Sequence, residues 1–458
     1  MTSAARSPIL APVPRAPVPE LRGLTRYGNT LELMLDTDGF MARTFDSADV
    51  VRARFGGDWV VLARAPELIE QVLVTQSRSF MKDRITRDVA ELLGNGLLVS
   101  DGELWRRQRR LVQPAFSRDR IADYAGGMVE AARRHAAAWR EGQVADLYGM
   151  LMRLTRDVVV ATLLRGKHVQ NADDFGAALE TLMARYADWR HAVFPGLGRL
   201  PLPENRRFAA ARRRMYAQVD AVIAERRRSG SGDSGDLLDL LGMLMAARDE
   251  CPAQLSDEQL RAEVLIFYIA GHETVAMTLS WVFALLSRRP SAWDLLTREV
   301  DAVLGMRDAT AEDAPKLAYT EQVILEAMRL YPPIWTIGRE ALEDVELDGL
   351  TLTRGTQVWL VQWAAHRNPR YFPQPLAFLP ERWENDLGAR LPRFAYFPFS
   401  GGPRQCIGNR FAMLETVLVL ATLVQRWRPE IAPRDQPKPR FSISLRPSGP
   451  LRARLRAR

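Results

Sequence analysis

Phe399-Ser400-Gly401-Gly402-Pro403-Arg404-Gln405-Cys406-Ile407-Gly408 sets a single thiol among glycines at the mouth of an apolar segment. Ahead of Cys406, two glycines and a proline permit a tight turn and a close approach of backbone to a flat ligand. Gly408 removes one more side chain behind it. Over residues 409–427 the spacing of Phe411, Leu414, Val417, Leu418 and Ala421 predicts a helix. Cys406 then stands just before a helix N-terminus, where free N–H groups and the helix dipole favour a thiolate. Most lone cysteines are small core residues, so the rest of the chain has to decide.

The 458 residues are 47% hydrophobic, enough for a sizeable core. Two cysteines, Cys251 and Cys406, exclude a disulfide scaffold and a cysteine-rich zinc site, and point to a reducing, cytoplasmic setting. Residues 1–24 form a proline-rich extension without the apolar run of a signal peptide or membrane anchor. The most apolar long segment, 264–286, carries His272 and Glu273 at its middle, so it reads as a buried core helix and not a transmembrane anchor. A net charge of +8 without a nucleic-acid-binding motif argues against a nucleic-acid partner. Basic surface of this kind also steers an acidic protein partner.

Taken in order, residues 49–62 read as a hairpin around Gly56-Gly57-Asp58. A helix over 66–74 follows, then an irregular stretch over 80–98. Trp105 and Arg109, four apart, share a helix face. One indole N–H and a guanidinium fork suit an acceptor-only carboxylate. Helical spacing recurs over 119–140, 146–164 and 172–189, and a basic helix spans 204–228. Residues 229–235 are a short flexible linker, read as a surface loop. Ser256 and Gln259 form a capping box that opens a helix running to about residue 288, with Pro290 as its stop.

The centre of that helix, Ala270-Gly271-His272-Glu273-Thr274, breaks its apolar pattern. A mid-helix glycine costs about 1 kcal/mol against alanine, and a buried carboxylate more unless partnered. Such local rule-breaking points to function. His272-Glu273 begins a zinc-protease pattern, but Ala276 stands where the second ligand is required. A satisfied polar kink in a core helix remains open. Residues 320–330 form a further helix on which Glu326 and Arg329 pair, and 441–445 alternates like a strand.

With an aromatic residue, glycine, arginine, cysteine and glycine at Phe399, Gly402, Arg404, Cys406 and Gly408, the decapeptide resembles the haem-binding signature of the cytochrome P-450 monooxygenases. Ala270-Gly271-x-Glu273-Thr274 looks like that family's oxygen-activation motif, and Trp105-x-x-x-Arg109 like its propionate-binding pair. Glu326 and Arg329, with Arg382 of Pro380-Glu381-Arg382-Trp383, resemble its structural triad, which braces the cysteine loop. His366-Arg367-Asn368-Pro369 fits the usual H-R-[DN]-P and gives His366 a structural or propionate role.

The resemblance implies a mainly α fold with a small β-rich region, residues 25–458 forming one domain. Haem b would lie between the long distal helix and the proximal cysteine loop. Cys406 would be the axial ligand of its iron, with Phe399, Arg404, Gly408, Ala270, Trp105, Arg109 and Arg339 around the cofactor. Thr274 and Glu273 would deliver protons; peroxide-using relatives often lack this pair, which favours dioxygen as co-substrate. Leu97, Ile266, Thr336, Ile337 and Ile443 are pocket candidates, with Ala270. The implied reaction hydroxylates a C–H bond of a largely apolar small molecule such as a fatty acid, terpenoid or polyketide. Electrons from NAD(P)H would arrive through a separate ferredoxin-type donor at a basic proximal surface, with the protein a monomer. Oxidative coupling or desaturation by the same chemistry stays open, as does a haem-binding sensor without turnover. Arg329-Leu330-Tyr331-Pro332-Pro333 and Gly401-Gly402-Pro403 look more like the fatty-acid-hydroxylating and eukaryote-like branches than the bacterial macrolide oxidases, a lean toward a lipid or terpenoid.

Overall fold

The structure, a computed structural model, describes residues 18–46, 48–163, 195–228, 239–250 and 255–458, with positions 178, 179, 181, 182 and 185 between. Most of the helix expected over 172–189, and the loop over 229–235, lie outside the described residues.

Helices α1 (Thr30–Leu35) and α2 (Thr37–Thr44) lead into β1 (Val50–Phe55) and β2 (Asp58–Ala63), the expected antiparallel hairpin. Its turn uses Gly56 at φ 62°, a conformation glycine adopts without strain. α3 (Pro66–Glu70) runs on into one π-helical turn, Gln71–Thr75. The stretch expected to be irregular holds β3 (Phe80–Lys82), α4 (Arg84–Asp88) and α5 (Ala90–Leu93), each too short for a periodic signal. Then come α6 (Gly102–Val112), α7 (Arg118–Ala137), β4 (Val144–Asp146), α8 (Leu147–Thr162), α9 (Pro203–Arg228) and α10 (Leu240–Glu250).

The 30-residue α11 (Asp257–Leu286) starts at the expected capping box. Ser256 Oγ accepts from the Gln259 N–H, and the Ser256 N–H donates to Gln259 Oε1. The helix ends at Leu286, and Pro290 does not stop it but opens α12 (Pro290–Leu304), where a missing N–H is harmless. α13 (Ala318–Leu330), β5 (Ile337–Ala341), β6 (Val345–Leu347), β7 (Leu350–Leu352) and β8 (Gln357–Leu360) follow. The cysteine loop leads into α14 (Asn409–Val424) and β9 (Trp427–Glu430). The alternating 441–445 stretch is not one strand: β10 (Pro439–Phe441) and β11 (Leu445–Pro447) form a hairpin whose turn is Ser442-Ile443-Ser444. β12 (Arg452–Ala457) pairs with β4 and β9.

Apolar on most sides, α11 and α14 are buried over most of their length. α11 packs along α8 and α13, and α14 along α7. The five-stranded sheet, in the order β1-β2-β8-β5-β3, encloses a second core with α3 that includes Leu68, Ile69, Leu73, Phe394 and Phe397. The cysteine loop runs between these two cores.

Candidate active site

The loop is shaped by its glycines. A Cβ on Gly402, at φ 66°, would come 1.9 Å from Leu73 O of the π-helical turn, and one on Gly401 would enter the Phe394 ring. Larger residues are shut out by packing at both positions. The Cys406 N–H donates to Phe399 O at 3.0 Å, closing the turn. Cys406 is accessible although protein surrounds it. Burial pushes its thiol up, while the Gly408 N–H and Arg109 pull it down. A cation beside the sulfur would favour its ionised form.

α6 is tied to this loop. Arg109 Nη1 donates to Gln405 O at 2.7 Å, and Arg404 Nη1 to Ser100 O at 3.0 Å. Arg404 also pairs with Asp101 and lies 4.4 Å over the Trp105 ring. Arg339 on β5 is buried and donates to Gly338 O at 2.7 Å. Lys82 on β3 is pushed down to about 7, first by burial and then by Arg339 and Arg404. Arg339 falls to about 10, by burial first and then by Arg404. Arg339, which is buried, and the half-buried Lys82, Arg109 and Arg404 gather around Asp83 and Asp101, so the guanidinium groups outnumber the carboxylates there.

On α11 the residues at the polar interruption divide by face. Ala270 is exposed and Thr274 half-buried, whereas His272 and Glu273 are 4% and 5% exposed. Ala270 and Thr274, four apart, form one accessible strip on a helix otherwise closed. Thr274 Oγ1 donates to Ala270 O at 2.8 Å. Gly271 answers to packing: a Cβ there would come 2.8 Å from Val159 of α8. The Glu273 carboxyl is raised by burial, against the pull of Arg446 and Ser444.

Glu326, fully buried on α13, receives Arg329 Nε and Nη2 at 2.8 Å each, Arg382 Nε at 3.0 Å and Trp383 Nε1 at 2.9 Å. Such a saturated carboxylate repays its desolvation only because every lone pair is met. Arg329 reaches on to the carbonyls of His366 and Pro375, at 3.0 and 2.7 Å. His366 Nε2 accepts from the Phe397 N–H at 2.9 Å, so its ring stands behind the cysteine loop and braces it. The ring also packs on Tyr396 and Phe397.

The pocket candidates come from separate segments of the chain. Leu97 and Ile266 are buried in the helical core, Thr336 donates to Leu360 O at 3.3 Å, Ile337 packs on the sheet core, and Ile443 is half-buried at the hairpin turn. Two contributors went unnoticed in sequence. Glu263, two turns before Ala270, accepts from the Leu97 N–H at 3.0 and 3.2 Å; a lone acid in an apolar run was the same signal that singled out Glu273. Arg446 carried no such signal. A surface cleft of about 350 Å³ bordered by Glu321, Arg393, Phe399, Gln405 and Met413 includes neither Cys406 nor Thr274, so it is not this site.

Residues 19–453 match the family model for cytochrome P450. The chain belongs to the cytochrome P450 family. It is 37% identical over 434 residues to cyclooctatin synthase of Streptomyces melanosporofaciens, covering 94% of this chain and 93% of that one. With pentalenene oxygenase of Streptomyces avermitilis it shares 34% over 437 residues, covering 94% and 95%. The crystal structure of the cytochrome P450DA haem domain superposes with a TM-score of 0.84 at 28% identity, covering 97% of this chain and 98% of that one. The mainly α P450 fold with small sheets is thereby established, and the enzyme is a P450 monooxygenase. The sensor reading is set aside. A P450 uses haem, with dioxygen as co-substrate and electrons from redox partners. The residues present fit that group: an accessible sulfur, an accessible strip on α11, and a cationic cluster short of anions that two propionates would balance.

Proposed function

We propose that Cys406 ligates the haem iron, that Trp105, Arg109, Arg339 and Arg404 hold the propionates, and that residues 25–458 act as one catalytic domain. Phe399 and Gly408 frame the sulfur, and Ala270 lies against the distal face. Bound there, haem supplies the oxygen chemistry. The chain's own residues fix the sulfur, neutralise the propionates, exclude water through the α11 core and move protons. Thr274 is suited to that last task because a hydroxyl both donates and accepts, and Glu273 is the acid beside it.

The substrate we infer is a largely apolar carbocycle of the terpenoid type, hydroxylated at a C–H bond. The observation that carries this reading is the accessible strip of Ala270 and Thr274 set in an apolar helix. The names of relatives matched along nearly the whole chain, pentalenene oxygenase and cyclooctat-9-en-7-ol 5-monooxygenase, agree with it. A cytoplasmic location and a separate ferredoxin-type donor on the α6 side complete the proposal. Optical titration of the ferric holoenzyme tests it: terpene hydrocarbons and alcohols are expected to give a saturable low-to-high-spin shift. A shift with long-chain fatty acids alone would redirect the assignment to a lipid hydroxylase.

A further inference from the structure

Trp281 and Tyr331 lie face to face, with ring centroids 3.9 Å apart and planes 7° from parallel. Aromatic pairs ordinarily settle at about 4.5–7 Å, so this contact is close enough to put the two π-systems in direct overlap. Trp281, 1% exposed, stands on α11 two turns beyond Thr274, on the same face and roughly 10 Å along the axis. Its indole N–H donates to Leu445 O at 3.4 Å. Tyr331 follows the last residue of α13 and is half-buried. Two side chains that give up an electron readily thus lead from the helix of Thr274 to the border of the core.

We propose that this stack is an electron-return pair: when the cofactor is oxidised with no substrate to consume the oxidation, Trp281 gives it an electron and Tyr331 replaces that electron. The proposal rests on haem lying against Ala270 and Thr274. With hydrogen peroxide as the oxidant, two electrons leave the haem protein as peroxide is reduced to water, and the pair returns one of them. The Tyr331 O–H bond breaks, its proton goes to solvent, and a neutral tyrosyl radical remains. A soluble one-electron reductant such as ascorbate then supplies an electron and a proton and restores the phenol.

Two features set the direction of transfer. Leu445 O, a carbonyl, does not take the indole proton, so an oxidised Trp281 stays a cation and hands its vacancy on. Tyr331 sheds its charge with its proton, which matters because the Arg367 guanidinium stands 5.6 Å from its ring and 4.3 Å over Trp363. A cation there penalises a second positive charge on either ring. The vacancy therefore ends on Tyr331 as a neutral radical and does not move on to Trp363. Trp105, the indole at the proposed propionate site, has Arg404 4.4 Å over its ring and is penalised in the same way.

Electron paramagnetic resonance of the ferric holoenzyme, frozen rapidly after mixing with peroxide and without substrate, tests the pair. The parent is expected to show an organic radical whose lines narrow when the protein is grown on ring-deuterated tyrosine. Tyr331→Phe, which keeps an aromatic ring in the stack, should lose that radical, and so should Trp281→Phe. In both variants peroxide should bleach the haem several-fold faster than in the parent, and ascorbate should no longer slow the loss. Equal bleaching in all three proteins, or a tyrosyl signal undiminished by Tyr331→Phe, overturns the pair. Imidazole titration of Ala270→Phe separates that failure from one of the haem placement. Weakened imidazole binding keeps haem against α11, so that only the pair has failed; unchanged binding removes haem from α11 and sinks the placement together with the pair.

Discussion

At Cys406 two influences oppose each other, and the larger is desolvation. Burial raises the thiol, whereas the Gly408 N–H and Arg109 only partly offset it. A metal cation beside the sulfur would favour its thiolate form. Cys406→Ser removes the soft ligand, so the reduced protein should lose the thiolate-type carbon-monoxide spectrum; retention of that spectrum would move the ligand elsewhere. Thr274 is a milder case. Among the described residues its side chain bonds only Ala270 O of its own helix, so Thr274→Ala should leave haem content and fold intact while diverting most reducing equivalents to peroxide, measured as peroxide per NADPH. Unchanged coupling would remove the hydroxyl from proton delivery. The residues legible in sequence here were those that break a local rule: a cysteine among glycines, a glycine and an acid inside an apolar helix. Arg446 escaped notice because an arginine in a half-exposed hairpin breaks none. A side chain at Gly271 would also meet Val159 of α8.

Among the elements, α11 was readable from its capping box and apolar run, although Pro290 opens the next helix instead of stopping this one, and what docks on it was not readable. The 94–99 segment crosses it so closely that a Cβ on Gly96 would meet Ile266 Cδ1 at 2.6 Å, and its Leu97 N–H is held by Glu263. Glu263 is pushed up to about 8, by burial first, with the Leu97 N–H pulling the other way. Its folded value lies above the unfolded one of 4.5, so the native state holds the proton that the unfolded chain has lost. Stability therefore falls as pH rises between about 4.5 and 8. Glu263→Gln cannot ionise and still offers Leu97 an acceptor. It should flatten that slope and raise stability at pH 8 by about 1–3 kcal/mol, read from denaturant midpoints at pH 5 and 8; parallel slopes in the two proteins would show that Glu263 does not titrate. Short elements such as β3, α4 and α5 were invisible because three to five residues carry no period, although long-range pairing with β5 defines β3.

Over the whole molecule, the surplus of eight positive charges has to be read by where it lies. Inside, Arg339 and Arg404 gather with Lys82 near Asp83 and Asp101, where the proposed propionates would neutralise them. Outside, Arg106 and Arg110 on α6 and Arg410 at the start of α14 are exposed; α6 is tied to the cysteine loop through Arg109 and Gln405, and α14 follows that loop. A donor delivering electrons to that sulfur would approach between them, and an acidic protein would be steered there. Exposed charges act over about 8 Å at physiological salt, so this attraction should act on the association rate more than on the bound complex. Raising the ionic strength from 0.05 to 0.5 M should therefore raise the KM for an acidic ferredoxin roughly tenfold. Arg110→Glu with Arg410→Glu should mimic that effect at low salt and leave the substrate-induced spin shift unchanged. If the double variant matched the parent at every salt concentration, the donor would have to dock on another face, and the positive charge would serve the cofactor alone.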